Sequence, residues 1–280
     1  MRYASKFVFS VVLFYYFSAS LFVEGASFKL FDNLRYVSSG DDYRTERCVL
    51  DIYAPKDKKN YTVFVWFHGG GISAGKKHLF PREFPEKGIG VVAVNYRLSP
   101  KIKANEAIWD AAEAVAWVLG NIEKFGGDPK RVFIGGHSAG AYLAGMVGFD
   151  PQYLEKFGYK NTDLAGMCLI SGQMTTHFRV KSDLKYSGGQ FLPVIDKYAV
   201  LNFVENDISP LLIVTGDDEL EWPCRVAENR LLIASVKKIG KSPLARMFVL
   251  GGYGHDCAKP SAGLIYNFIS DCLKRTKSAK

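Results

Sequence analysis

Short apolar runs alternate along the chain with segments whose apolar residues recur at helical spacing. Residues 48–53, 62–67, 90–96, 131–135, 165–170, 211–215 and 246–250 are rich in Val, Ile, Phe and Leu. Several of these runs lack polar alternation, which is the pattern of strands buried on both faces of a parallel sheet. Between them, Ile108, Ala111, Ala112, Val115, Val118, Leu119 and Ile122 line one face of a helix predicted over 105–125. A second helix opens near Ser138 and continues through Val147, and residues 225–239 and 263–273 predict two more. This order predicts an α/β fold built on a doubly wound, mostly parallel sheet. One domain spans 26–280. Residues 173–207 have weak periodicity and read as a small cap inserted late in the sheet, between two strands.

The first residues follow a different pattern. Arg2 and Lys6 precede an apolar run over 7–23, and Gly25 and Ala26 supply small residues after it. That predicts a signal peptide over 1–25 and an exported protein, secreted or periplasmic. No later run is long and apolar enough for a bilayer span, so no membrane association is expected after cleavage. With 280 residues, 48% hydrophobic and 23% charged, the chain falls outside the disordered and disulfide-dense classes. The net charge of +8 comes without a base-reading motif, so no nucleic-acid partner is expected. Lys274, Arg275, Lys277 and Lys280 read as a solvated helix end. The five cysteines contain no C-x-x-C pair, so no metal site is expected. The pairing considered is Cys224 with Cys257, each of which follows a suspected active-site loop.

Four loops carry candidate chemistry. Gly136-His137-Ser138-Ala139-Gly140 lies between a predicted strand and a predicted helix, where a tight turn lifts the Ser138 hydroxyl clear of the sheet. The helix N-terminus behind it favours developing negative charge. His68-Gly69-Gly70-Gly71 follows the strand over 62–67. Its bare backbone amides at Gly70 and Gly71, with that of Ala139, suit an oxyanion hole. His68 reads as an anchor for this loop rather than a base. His255 sits in a glycine-rich loop after the run 246–250 and is the candidate base. The acid must come from Asp217-Asp218-Glu219-Leu220-Glu221 after the run 211–215. Usual spacing selects Glu219, three residues past Gly216, with Asp218 as the alternative; Asp217 reads as a turn-former. Trp222, Phe191 and Tyr198 are read as core residues rather than pocket lining.

With these residues in view, the chain resembles the α/β-hydrolase superfamily, in its carboxylesterase and hormone-sensitive-lipase-like esterase branch. The resemblance rests on Leu50-Asp51-Ile52-Tyr53-Ala54-Pro55, the His68–Gly71 run, Asn95-Tyr96-Arg97-Leu98-Ser99-Pro100, Gly126-Gly127-Asp128-Pro129 and the serine pentapeptide. It implies Ser138 as nucleophile, His255 as base, Glu219 or Asp218 as acid, and amides of Gly70, Gly71 and Ala139 as oxyanion donors. It implies no cofactor and no metal. Departures are Ile72 after the glycine run, where formamidase-like members carry Trp, and Glu where Asp is usual in the acid loop. The region before the sheet is also too short for the large cap of many lipid-hydrolysing relatives. The function expected is a secreted serine carboxyl-ester hydrolase working through an acyl-enzyme. Its partners would be small-molecule or polysaccharide esters, with short-acyl or feruloyl groups. Alternatives are an exported serine peptidase of the same fold and a non-catalytic binding protein built on it.

Overall fold

The computed structural model describes residues 27–239 and 241–278. The segment read as a signal peptide lies outside the described residues. Eight strands form one sheet: β1 (Phe28–Arg35), β2 (Val49–Pro55), β3 (Tyr61–Phe67), β4 (Ile89–Val94), β5 (Gly127–His137), β6 (Gly166–Ile170), β7 (Leu211–Gly216) and β8 (Ala245–Leu250). Their order is β1-β2-β4-β3-β5-β6-β7-β8. β1 pairs antiparallel with β2, and β2 antiparallel with β4; from β4 onward every pairing is parallel.

The helices are α1 (Asp42–Arg47), α2 (Glu106–Asn121), α3 (Ala139–Phe149), α4 (Gln152–Glu155), α5 (Phe178–Asp183), α6 (Arg225–Ile239) and α7 (Ala262–Ser278). They cover both faces of the sheet. On one face Val63, Val65 and Phe67 of β3 join a core with α2, α3 and α6. On the other, Phe64 and Trp66 of the same strand pack with Ile265, Phe268 and Ile269 of α7. Alternate residues of β3 thus enter opposite cores, so the strand needs an unbroken apolar run. Every residue of α3 is buried, because this helix lies behind the sheet's centre under other elements.

Several elements depart from the pattern expected of the sequence. β1 is an additional edge strand, half-buried, with Asn33 at φ 51° interrupting its register against β2. α1 has no buried residue and so no apolar stripe; it is set by Asp41, whose side chain accepts from the Arg44 N–H at its start. The helix expected over 105–125 ends at Asn121 and tightens into a 3-10 turn, Ile122–Phe125. Between β6 and β7, the segment expected as a cap holds α5 and the short turn Val200–Phe203. No described helix is long and apolar enough to cross a membrane.

Candidate active site

All the candidate loops leave the sheet at the same edge, the C-terminal ends of β3, β5, β6, β7 and β8. That edge is where open parallel sheets bind ligands. Ser138 stands between β5 and α3 with φ 54° and ψ −116°, a conformation sparsely populated by residues with a side chain. The turn is enforced by contact: a Cβ at Gly140 would lie 2.0 Å from the Phe67 carbonyl oxygen. Only glycine lets α3 approach the end of β3 so closely.

The Ser138 Oγ lies 2.8 Å from His255 Nε2. His255 Nδ1 lies 2.6 Å from Glu221 Oε1. The carboxylate on the imidazole is therefore Glu221, which corrects the expectation of Glu219 or Asp218. The reason is the shape of the turn after β7. The N–H of Glu221 bonds the Asp217 carbonyl at 2.9 Å, a single helical turn that brings Glu221 back over the sheet edge. Glu219 falls on the outer side and is exposed. Asp218 also faces out and pairs with Arg230 at 2.7 Å. Asp217 is the turn-former, accepting from the N–H groups of Glu219 and Gly252.

Glu221 is buried and fully coordinated. Burial by itself would raise its carboxyl pKa. Hydrogen bonds from His255, from the Ser171 hydroxyl at 2.6 Å and from the Trp222 N–H at 2.8 Å outweigh burial and hold the carboxyl at about 2. An ionised carboxylate on Nδ1 keeps the proton on that nitrogen, so Nε2 is left as the acceptor facing Ser138. Ser171, at the end of β6 with φ 47°, is also tied through its carbonyl to the buried Arg225. Sequence reasoning missed Ser171 because no pattern marks it. Glu221 carried a signal in its place one helical turn after Asp217.

The His68–Gly71 loop is built for exposed amides. Gly70 has φ 110°, and a Cβ there would lie 2.3 Å from the Ala74 carbonyl oxygen. The Gly70 carbonyl accepts from the N–H groups of Ser73 and Ala74, which turns the peptide. Among the described residues the N–H groups of Gly70 and Gly71 meet no acceptor. As the first residue of α3, Ala139 has no intrahelical partner for its N–H. Gly69 lies against Ser138, its Cβ position 3.5 Å from that of the serine. His68 anchors the loop's root. It stacks on Tyr96 at 4.4 Å, and the Tyr96 hydroxyl bonds its carbonyl at 2.6 Å. Burial pushes the His68 imidazole down to about 4, so it is neutral at pH 7.

His137 closes the arrangement from below: its Nε2 lies 2.7 Å from the His255 carbonyl oxygen and fixes the loop after β8. Trp222 and Phe191 depart from the expectation of core packing. Each is 37% exposed, and Trp222 stacks on the His255 ring at 4.2 Å. Tyr198 is partly buried and packed against the core. All five cysteines are free, so the Cys224–Cys257 pairing does not form: Cys224 is exposed, whereas Cys257 is buried with its Sγ 3.1 Å from the Ser171 hydroxyl. Among the described residues no group of three or more His, Cys, Asp or Glu is arranged to hold a metal ion.

The comparison that decides the family is a match of residues 32–184 to the model of the carboxylesterase family. The chain belongs to the carboxylesterase family. Among curated proteins it is similar to gut esterase 1 of Caenorhabditis elegans, 33% identical over 138 residues, which cover 44% of this chain and 25% of that protein. It is also 33% identical to a probable isoprenylcysteine alpha-carbonyl methylesterase of Oryza sativa subsp. japonica, over 48% of this chain and 29% of the relative. The aligned part thus spans between a quarter and a third of these relatives' length. Among solved structures, a truncated carbohydrate esterase from gut microbiota superposes with a TM-score of 0.72 at 18% identity, covering 88% of this chain and 97% of that one. The eight-stranded sheet therefore has the α/β-hydrolase fold.

Proposed function

We propose that this carboxylesterase-family chain is a serine hydrolase of carboxylic esters, with Ser138 as nucleophile, His255 as general base and Glu221 as the acid that orients it. The observation that carries the reading is the continuous line Ser138 Oγ, His255 Nε2, His255 Nδ1, Glu221 Oε1, with steps of 2.8 and 2.6 Å beside unpaired amides. Ser138 Oγ attacks the ester carbonyl carbon while its proton passes to Nε2. The carbonyl oxygen becomes an oxyanion held by the N–H groups of Gly70, Gly71 and Ala139. The C–O bond to the alcohol breaks, and the leaving oxygen takes the proton from Nε2. Water, deprotonated by His255, then attacks the acyl-enzyme, and Ser138 regains its proton as the carboxylic acid departs. No step needs a cofactor.

The substrates proposed are short-acyl or feruloyl esters, such as those on polysaccharides. The likeness to a carbohydrate esterase supports this, as does a cap segment with only one short helix beside the site. Export is part of the proposal, supported by the basic and apolar pattern over residues 2–23. Hydrolysis of p-nitrophenyl acetate, with mass-spectrometric mapping of a fluorophosphonate adduct, tests the core of the reading. The wild type is expected to turn over the ester and carry the adduct on Ser138, and Ser138→Ala to do neither. A folded wild type that neither turns over nor labels would mark a binding protein on a hydrolase fold. Faster turnover of peptidyl amides than of esters would mark a peptidase.

A further inference from the structure

Beside the triad, three rings form a continuous wall. Trp222 lies flat on the His255 imidazole, with centroids 4.2 Å apart and planes at 15°. Phe191 meets Trp222 edge-on at 6.5 Å and 75°. Phe178 flanks Trp222 at 6.2 Å, and its ring tip lies 3.1 Å from where a Cβ on Gly71 would stand. The wall thus runs from the imidazole to the oxyanion loop, past the atoms that react. Trp222 and Phe191 are exposed and Phe178 is partly buried; a lone exposed aromatic needs no explanation, but adjoining exposed rings at a reactive centre do.

The rings are held rather than loose. Lys181 is buried, and its ammonium bonds the carbonyls on either side of Phe191, Gln190 at 3.0 Å and Leu192 at 2.5 Å. A buried ammonium is costly unless it is paired in this way, so the clasp keeps the loop and its ring in one position. Asp196 secures the other end of the segment, accepting from the hydroxyls of Thr176 and Tyr186, both at 2.6 Å. The Phe178 N–H bonds the Gln173 side chain at 3.0 Å. On the opposite loop, the Trp222 N–H is fixed on Glu221, and the Arg225 guanidinium lies 5.7 Å from its ring centre. A rigid wall loses little freedom when a ligand docks on it.

We propose that Trp222, Phe191 and Phe178 form a subsite for an aromatic ring carried by the ester substrate. This deepens the reading of Ser138, His255 and Glu221 as an ester hydrolase and rests on it. A saturated group of the same shape gains burial against the wall. A planar ring gains in addition the edge-to-face and stacked contacts that Trp222 and Phe191 offer at their mutual angle. The ring can enter from the acyl side, as in an arylacryloyl ester, or from the alcohol side, where the leaving oxygen must approach His255 Nε2.

The test compares kcat/KM within matched pairs. Methyl cinnamate against methyl 3-cyclohexylacrylate probes the acyl side, and benzyl acetate against cyclohexylmethyl acetate probes the alcohol side. At least one pair is expected to favour the aromatic member about 5-fold or more, the worth of two ring contacts. The favoured pair names the side. Trp222→Leu and Phe191→Leu are each expected to bring that ratio to within about 2-fold; the ratio is read inside each variant, so changes in overall rate do not enter it. Phe191 has no ring contact with His255, which keeps its variant free of effects on the base. Calorimetric binding of the same pairs to Ser138→Ala gives the preference without turnover. Ratios near one in both pairs by kinetics and by binding, with p-nitrophenyl acetate still hydrolysed, would overturn the subsite and leave the hydrolase standing. An aromatic preference in binding by a protein that neither turns over esters nor labels would do the reverse.

Discussion

On the Ser138 side of the site, positions are set by backbone meeting backbone. Gly140 packs against the Phe67 carbonyl with no room for a methyl group, and Gly70 turns over the Ala74 carbonyl in the same way. On the His255 side, positions are set by side chains reaching across loops: Glu221 to the imidazole and to Ser171, and His137 to the His255 carbonyl. The first half belongs to the fold's own packing, so changing it changes stability. The second half is a chain of side-chain hydrogen bonds made outside the sheet, so changing it is expected to act on chemistry more than on the sheet.

The largest expected effect breaks the second half alone. His255→Gln should lower ester kcat by about 10⁶, the loss typical of removing a catalytic base. Its melting temperature should stay near that of the wild type, since His137 bonds the backbone of residue 255 and not its ring. Gly140→Ala should do the opposite. Forcing a methyl group against the Phe67 carbonyl should cost about 3 kcal/mol or more, read as a lowered denaturation midpoint or insoluble protein. Ser171→Ala sharpens the comparison on a smaller scale. Loss of one donor to the Glu221 carboxylate should lower kcat about 10-fold with KM little changed. A lowered KM-independent stability with unchanged kcat would instead make Ser171 part of the packing half.

The smallest of these effects concerns pH. Burial holds His68 at about 4 and lowers His137 and His177 below the ordinary imidazole value near 6.5. The unfolded chain takes up protons on these rings below about pH 6.5, while the fold keeps them neutral. Their contribution is therefore complete above pH 6.5 and is lost as pH falls toward 4. Glu221 continues the trend: its folded value of about 2 against an ordinary 4.5 gives stability present above 4.5 and lost between 4.5 and 2. The melting temperature should fall steadily from pH 7 to pH 4, and a flat profile over that interval would contradict the buried neutral rings.

The same division decides what the sequence makes legible. Seven of the strands appear as apolar runs; β3 is the clearest, buried on both faces between its two cores, whereas the edge strand β8 keeps an apolar run although Phe248 and Val249 are exposed. β1 escapes notice because it is a half-buried edge whose run is broken by Asp32 and Asn33. The serine pentapeptide and the glycine loop are legible because steric contact requires glycine at fixed places. Ser171, Trp222 and Phe191 act through side-chain reach, which leaves no spacing behind. The acid lies between these cases. Four carboxylates share one loop, and only the helical turn fixed by Asp217 separates Glu221, which points in, from Glu219, which points out.

That separation gives the most direct test of the account, which holds that the chain of contacts from Ser138 runs through His255 to Glu221 and does chemistry. Ester kcat should be measured for Glu221→Gln and Glu219→Gln side by side. The account predicts a loss of about 10⁴ for Glu221→Gln, the scale seen when a triad acid can no longer fix the imidazole tautomer, and a rate within about 2-fold of wild type for the exposed Glu219→Gln. Equal rates in the two variants, or a larger loss at Glu219, would contradict it.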